Sequence, residues 1–364
     1  MRKIRAIISG GGTGGHIFPA IAIANAIKAL SPESEILFVG AEGKMEMEKV
    51  PAAGYNIKAL PIVGIQRKLT LKNVLVPFKV LKSLRLAKKI IREFKPDVAI
   101  GVGGYASGPL LYAATKLNIP TVIQEQNSYP GITNKILAKR VDKICVAYEG
   151  LDKYFPKEKI LLTGNPVRQD IKNLEAKRER GIEFFELGKD KPVVLVIGGS
   201  LGARTINESI AELLDDFQEN NIQLLWQTGK WFADKAQQLV KDKKGLITMP
   251  FITKMDLAYA VADVIVSRAG ALSISELCLV KKPVILIPSP NVAEDHQTKN
   301  AMALVNQNAA LIVKDDESKE NLGKTLFDLM QNEDLQNKLI NNISKLSKDD
   351  AASVIAAEIF SLAR

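Results

Sequence analysis

At 364 residues, 46% hydrophobic and 25% charged, the chain has the profile of a soluble globular protein, and its length allows about two domains with a core each. The N-terminus runs directly into an apolar β-rich segment with no signal peptide, and no apolar run approaches the roughly 18 residues a membrane span needs, so a cytoplasmic protein is expected. The formal net charge of +10 is concentrated in one segment, and the two cysteines, Cys145 and Cys278, lie in apolar surroundings without metal-ligand spacing, as buried free thiols do.

The first element is a strand-like run over residues 5–8. It leads into Ser9-Gly10-Gly11-Gly12-Thr13-Gly14-Gly15-His16 and then into a helical pattern over 17–27. Glycines at a strand-to-helix turn let backbone N–H groups approach an anion at the helix start, where unpaired donors and the dipole favour negative charge. The spacing Gly10-x-Gly12-x-x-Gly15 also fits a dinucleotide loop, for which Glu42 after residues 36–40 would supply the ribose-binding acid. His16, reactive and placed where such a loop turns into plain helix, argues against that reading.

Further strand-like runs follow at 35–39, 98–102, 121–123, 143–146 and 160–163, most of them separated by helical patterns. A polar, charged stretch over 169–191 reads as a linker. The alternation then restarts at 192–197 and continues at 224–227, 246–249, 264–266 and 284–287. An amphipathic helix is expected over 348–364. The fold class is therefore α/β, with two tandem doubly wound domains built on mainly parallel sheets. The restart repeats its opening, since Gly198-Gly199-Ser200-Leu201-Gly202-Ala203-Arg204 again joins a strand to a helix, which suggests two sites facing one central cleft.

The charge concentrates between Lys68 and Lys95, where nine Lys and Arg face the single acid Glu93 and alternate with many apolar residues. A crossover helix with a solvated basic side accounts for this. So does a membrane-surface patch, in which anionic lipid attracts each basic residue by about 1 kcal/mol and exposed apolar side chains enter the interface. Nucleic acid is disfavoured because the stretch has only Phe78 and Phe94 as aromatic residues for base stacking.

In a doubly wound sheet, ligands bind beyond the carboxyl ends of the strands. Polar or glycine-rich clusters stand there: Gly103-Gly104-Tyr105-Ala106-Ser107-Gly108-Pro109, Gln124-Glu125-Gln126-Asn127 and Gly164-Asn165-Pro166-Val167-Arg168. In the second half, Ser267-Arg268-Ala269-Gly270 leads into Ala271-Leu272-Ser273-Ile274-Ser275-Glu276, a helix start suited to a phosphate. Glu276, about one turn in, suits a vicinal diol such as a ribose; capping by Ser273 and a dipole role for Glu276 is the plainer account. Amides and acids over 288–301, including Asp295-His296-Gln297, suit sugar hydroxyls. Both histidines of the chain, His16 and His296, fall in these loops, and a neutral imidazole there is suited to general-base work near neutral pH. No Asp-x-Asp and no P-loop motif occurs, so no metal is expected at a nucleotide diphosphate and helix N-termini would stabilise that leaving group.

Taken together, Gly11-Gly-Thr-Gly-Gly-His16, Gly103-Gly-Tyr-Ala-Ser-Gly-Pro109, Glu125-Gln-Asn127, Gly164-Asn-Pro-Val-Arg168, Gly198-Gly-Ser-Leu-Gly-Ala203, Ser267-Arg-Ala-Gly-Ala271 and Asp295-His-Gln297 closely resemble the MurG family of bacterial glycosyltransferases, in order along nearly the whole chain. The resemblance implies the GT-B fold. An acceptor and membrane-binding domain would span 1–163, with the last helix (about 345–364) packing back on it, and a donor domain would span 164–344. It implies an inverting, metal-independent transfer of GlcNAc from UDP-GlcNAc to undecaprenyl-pyrophosphoryl-MurNAc-pentapeptide, converting lipid I to lipid II in peptidoglycan synthesis, with no cofactor.

By position, the resemblance has Ile252 contacting uracil through its backbone, and Arg168, Ser200 and Ala271-Leu272-Ser273, continuing through Ile274 and Ser275, holding the diphosphate side. Glu276 would bind the ribose, while Gln297, Asn127, Thr13, Gly14 and Gly15 line the sugar and reacting centre. His16 is the favoured general base, with Glu125 as rival; Gly103, Gly104, Tyr105 and Ser107 fall to the acceptor. His296 stands where some members carry a glutamine. The resemblance also favours the membrane reading of the basic segment, through Lys72, Phe78, Lys79 and Lys82, hence peripheral attachment to the cytoplasmic leaflet, with other cell-wall synthesis proteins as further partners. A transferase acting on a diacylglycerol lipid, a nicotinamide-dependent protein built on the first glycine loop and a non-catalytic scaffold are the competing readings.

Overall fold

The computed structural model describes the chain except for residues 63–75, 168–170, 172, 200, 293–294 and 364. The expectations placed on Lys72, Arg168 and Ser200 lie outside the described residues. The chain divides into two compact units, Met1–Arg168 with Lys348–Arg364, and Gln169–Ser347.

The first unit is a seven-stranded parallel sheet of β1 (Arg5–Ser9), β2 (Glu35–Ala41), β3 (Asn56–Leu60), β4 (Val98–Gly101), β5 (Thr121–Glu125), β6 (Lys143–Val146) and β7 (Ile160–Leu162), in the order β3-β2-β1-β4-β5-β6-β7. Register is fixed from both sides of β1, where Ile7 pairs with Leu37 and with Ala99. Side chains alternate across this strand. Ile7 joins the core under helices Val76–Phe94 and Ser107–Lys116, whereas Ala6 and Ile8 join the core under helix Gly14–Leu30. The C-terminal helix Ala351–Leu362 packs on that second face, with Ile355, Ala356 and Ile359 buried among Ile17, Ile23 and Ile27. Strands covered on both faces read as continuous apolar runs, which is why they stand out in the sequence.

The second unit repeats the plan with β8 (Val193–Ile197), β9 (Gln223–Gln227), β10 (Leu246–Met249), β11 (Val264–Ser267), β12 (Val284–Leu286) and β13 (Leu311–Ile312), in the order β10-β9-β8-β11-β12-β13. The stretch expected to be a linker is partly folded onto this unit. Its helix Arg178–Phe184 packs on helix Met255–Val261, and Ile182 and Phe185 are buried. The physical reason lies in its charges: Lys177 pairs with Asp256 at 3.0 Å, and Arg178 donates to the Val261 carbonyl at 2.9 Å, a cation at a helix C-terminus. In both units the strand order reverses at one place, beside β1 and β4 and beside β8 and β11, the location where doubly wound sheets take ligands.

Candidate active site

In the first unit, the loop after β1 meets the loop after β4. Gly11 N–H donates to the Gly103 carbonyl at 3.4 Å, and Thr13, in extended conformation, precedes the first residue of the helix that carries Gly14, Gly15 and His16. The His16 ring lies against Gly103: a methyl group there would stand 2.6 Å from Cδ2 and 2.8 Å from Nε2, and the φ of +100° disfavours any other side chain as well. A side chain at Gly104 would collide with the Gly11 carbonyl. His16 is half-buried, with Nδ1 at 3.1 Å from the Gly11 carbonyl oxygen and 3.3 Å from Thr13 Oγ1. A carbonyl oxygen can only accept, so this shorter of the two contacts is a hydrogen bond when the proton is on Nδ1, the tautomer that leaves Nε2 as the basic nitrogen; the Thr13 hydroxyl fits either tautomer. Tyr105 is exposed beside this loop, whereas Ser107 is fully buried with its hydroxyl against Gly101, so the surface feature it supplies is a helix start and not its side chain.

Glu125 ends β5, next to β4, and is 2% exposed. Its carboxylate accepts four hydrogen bonds: from Asn127 N–H (3.1 Å) and Asn127 Nδ2 (3.2 Å) on one oxygen, and from Gly131 N–H (3.0 Å) and Asn134 Nδ2 (2.9 Å) on the other. A buried carboxylate with that many donors is fully solvated by the protein and holds the 126–131 loop, which carries Asn127. Neighbouring loops are tied to it. Gln126 Nε2 donates to the Val102 carbonyl (2.9 Å), Asn165 Nδ2 to the Gln126 carbonyl (3.0 Å), and Gln124 Nε2 to Asn165 Oδ1 (2.9 Å).

In the second unit, Gly270 caps helix Ala271–Val280, whose first turn presents Ala271, Leu272 and Ser273, all partly exposed. Ile274 packs into the core, Ser275 Oγ donates back to the Ala271 carbonyl at 3.0 Å, and Glu276 Oε2 accepts from the buried Tyr259 hydroxyl at 3.0 Å. Asn300 Nδ2 reaches the Ala269 carbonyl at 3.4 Å, which ties helix His296–Val305 to this turn. Gln297 Oε1 accepts from Ser289 N–H at 2.9 Å, and Thr298 Oγ1 donates to Asp295 Oδ1 at 2.7 Å. Ile252 is buried and its N–H donates to Gln227 Oε1 at 3.0 Å; the same Gln227 donates through Nε2 to the Gly199 carbonyl at 2.9 Å.

Three supports were not singled out by the sequence reading: Glu46 beneath the first glycine loop, Gln227 beneath the second, and Tyr259 behind Glu276. The acid proposed for the first loop from sequence, Glu42, is exposed; Glu46, 1% exposed, is the one that reaches the loop, accepting from Gly12 N–H at 2.8 Å. Burial of Glu46 and the distances involved are three-dimensional facts, and its surroundings Lys44-Met45-Glu46-Met47-Glu48 look like any charged surface stretch.

Both units match known families. The glycosyltransferase family 28 N-terminal domain matches residues 6–146, and the family's C-terminal domain matches 193–355. Over 364 residues the chain is 57% identical to the UDP-N-acetylglucosamine--N-acetylmuramyl-(pentapeptide) pyrophosphoryl-undecaprenol N-acetylglucosamine transferase of Phocaeicola vulgatus, covering 99% of this chain and 97% of the relative. It is 55% identical to the protein of the same name from Parabacteroides distasonis, covering 99% and 98%. Among solved structures, MurG of Acinetobacter baumannii superposes with a TM-score of 0.79 at 28% identity, covering 99% of this chain and all of that one. Sheet order, glycine loops and helix starts thus recur in a chain related end to end to these enzymes, and it belongs to glycosyltransferase family 28.

Proposed function

We propose that the chain transfers GlcNAc from UDP-GlcNAc to the 4-hydroxyl of MurNAc in undecaprenyl-pyrophosphoryl-MurNAc-pentapeptide, the lipid I to lipid II step of peptidoglycan synthesis. The observation that carries this reading is the 57% identity, over 99% of the chain, to a transferase named for that donor and acceptor. The geometry supports it with a partly exposed helix start for a diphosphate, a fixed carboxylate for a ribose, and a half-buried imidazole whose basic nitrogen is Nε2.

In this reaction His16 takes the proton as the acceptor oxygen attacks C1 of the sugar from the face opposite UDP. The helix start at Ala271–Ser273 stabilises negative charge on the departing diphosphate, as preorganised donors do in a transition state. Glu276, held by Tyr259, binds the ribose. With the Ile252 N–H engaged by Gln227, uracil recognition through that residue falls to its carbonyl. Glu125, saturated by four donors, orients Asn127 and its loop, which favours His16 over Glu125 as base. Gly103, Gly104 and Tyr105 serve the acceptor; Thr13, Gly14, Gly15, Asn127 and Gln297 serve the transferred sugar.

The acceptor is a lipid, and no helix among the described residues is long and apolar enough to cross a membrane. Helix Val76–Phe94 supplies the alternative. Its inner face buries Ala87, Ile90 and Ile91, while Phe78 (69% exposed) and Leu81 (52%) stand outward together with Lys82, Arg85, Lys88 and Arg92, and Lys79 is half-buried. Exposed apolar groups beside clustered cations suit the headgroup region of an anionic bilayer, so the protein attaches peripherally to the cytoplasmic leaflet. Reversing charge at Lys79 and Lys82 is expected to abolish sedimentation with anionic vesicles at low salt while leaving transfer to a short-chain acceptor unchanged; undiminished sedimentation contradicts the membrane role.

The transfer itself is tested with labelled UDP-GlcNAc and a lipid I analogue in detergent, EDTA present, with a diacylglycerol acceptor in parallel. Transfer to the lipid I analogue alone supports the reading. Transfer to diacylglycerol alone, or UDP binding without turnover, overturns it.

A further inference from the structure

The Gly11 carbonyl and the Gly12 N–H are the two ends of one peptide group, and a trans peptide points them in opposite directions. The N–H end donates to Glu46 Oε2 at 2.8 Å; the carbonyl end accepts from His16 Nδ1 at 3.1 Å. Glu46 Oε1 is fixed in turn by Ala41 N–H at 2.9 Å, and the carboxylate sits in the first turn of helix Glu46–Ala52, where the dipole favours negative charge. A carboxylate, one peptide group and an imidazole are thus connected in a line.

We propose that Glu46 is a positioning residue that acts on His16 through the Gly11–Gly12 peptide, holding the imidazole proton on Nδ1 and strengthening Nε2 as a base. The inference rests on the reading of His16 as general base. Hydrogen bonds in series polarise one another, and a charged acceptor at one end strengthens the donor–acceptor pair at the other. The second unit supplies the contrast. There the neutral amide of Gln227 supports the glycine loop by donating to the Gly199 carbonyl, and an amide oxygen can equally accept from a loop N–H, so supporting a loop does not by itself require a buried charge, which is costly to desolvate. Glu46, at 1% exposure, carries that cost where a histidine lies one peptide away, and the loop without a histidine is built with an amide.

The chain contains two histidines, so the imidazole nitrogens of His16 and His296 are resolvable in one two-bond 15N–1H spectrum of labelled full-length protein, with His296 as internal control. Wild type is expected to show His16 as the Nδ1–H tautomer. Glu46→Gln is isosteric; it is expected to shift His16 toward the Nε2–H tautomer and to lower kcat about tenfold, the order of one charge-assisted hydrogen bond, with UDP affinity unchanged. A shifted tautomer with unchanged kcat supports the relay and overturns His16 as base. An Nε2–H tautomer in wild type, or a His16 signal that does not respond to Glu46→Gln, overturns the proposal whatever happens to kcat. Should Glu46→Gln fail to fold, the wild-type tautomer and the through-bond coupling between His16 Nδ1–H and the Gly11 carbonyl carbon decide it, since absence of that coupling overturns the relay.

Discussion

The two glycine loops begin alike and are finished differently. Each follows the first strand of its sheet, each sits where the strand order reverses, and each is supported from below by a buried side chain. Under the first loop that side chain is the carboxylate of Glu46, and the helix beyond carries His16; under the second it is the amide of Gln227, and no titratable group stands within the 198–203 loop. On the proposed function, the difference follows from what each loop would stabilise. An anionic support favours the protonated form of a base and suits a site that collects a proton, whereas the same charge beneath a diphosphate would oppose binding at close range. On the proposed function, one architecture would thus provide a proton-accepting seat over Glu46, which accepts from the Gly12 N–H, and an anion-accepting seat over Gln227, which donates to the Gly199 carbonyl.

The largest expected effect breaks the first seat. His16→Ala should reduce kcat by about 10² to 10⁴, the range for losing a general base, with UDP affinity retained. Breaking the donor side at the helix start after β11 should act on binding. Glu276→Ala removes a charged acceptor for the donor's diol and should raise donor KM by about ten- to a hundredfold, with kcat at saturation little changed; Tyr259→Phe, which removes one hydrogen bond to Glu276, should give a smaller change in the same direction. Initial rates over a range of UDP-GlcNAc separate these outcomes.

A glycine substitution that presses on each loop, from the neighbouring loop after β4 in the first case and from within in the second, sharpens the contrast. Gly104→Ala meets the Gly11 carbonyl and Gly202→Ala meets the Thr228 carbonyl, each at a positive φ, so each should cost about 1–3 kcal/mol of stability by thermal or denaturant melts. In the folded protein the first should affect kcat and the second donor KM. The smallest effect is expected at the cysteines, which belong to neither seat. Burial pushes the thiols of Cys145 and Cys278 up to about 12, so both stay protonated at pH 8 and should resist alkylation in the native protein while reacting once it is unfolded.

Strand positions were legible because parallel strands covered on both faces must be apolar throughout, as in Val193–Ile197. Two of the four edge strands escaped notice, while those at Ile160–Leu162 and Leu246–Met249 were expected: Asn56–Leu60 alternates exposed and partly buried residues before the buried Leu60, and Leu311–Ile312 is two residues long. The loops were legible because glycine-rich strand-to-helix turns have few other uses, and both proved to stand where the strand order reverses. What holds those loops was not. Glu46, Gln227 and Tyr259 are ordinary residue types whose partners are fixed only when distant segments meet, and the charged stretch around Arg178 read as a linker because the helix end that it caps is formed more than seventy residues later.

The division of labour is tested most directly by comparing UDP affinity, by calorimetry, in His16→Ala and Glu276→Ala against single-turnover transfer by the same two proteins. The account predicts wild-type affinity with transfer slowed at least a hundredfold in His16→Ala, and weakened affinity with near wild-type transfer at saturation in Glu276→Ala. Equal losses of affinity in both variants would contradict it, by placing His16 in donor binding.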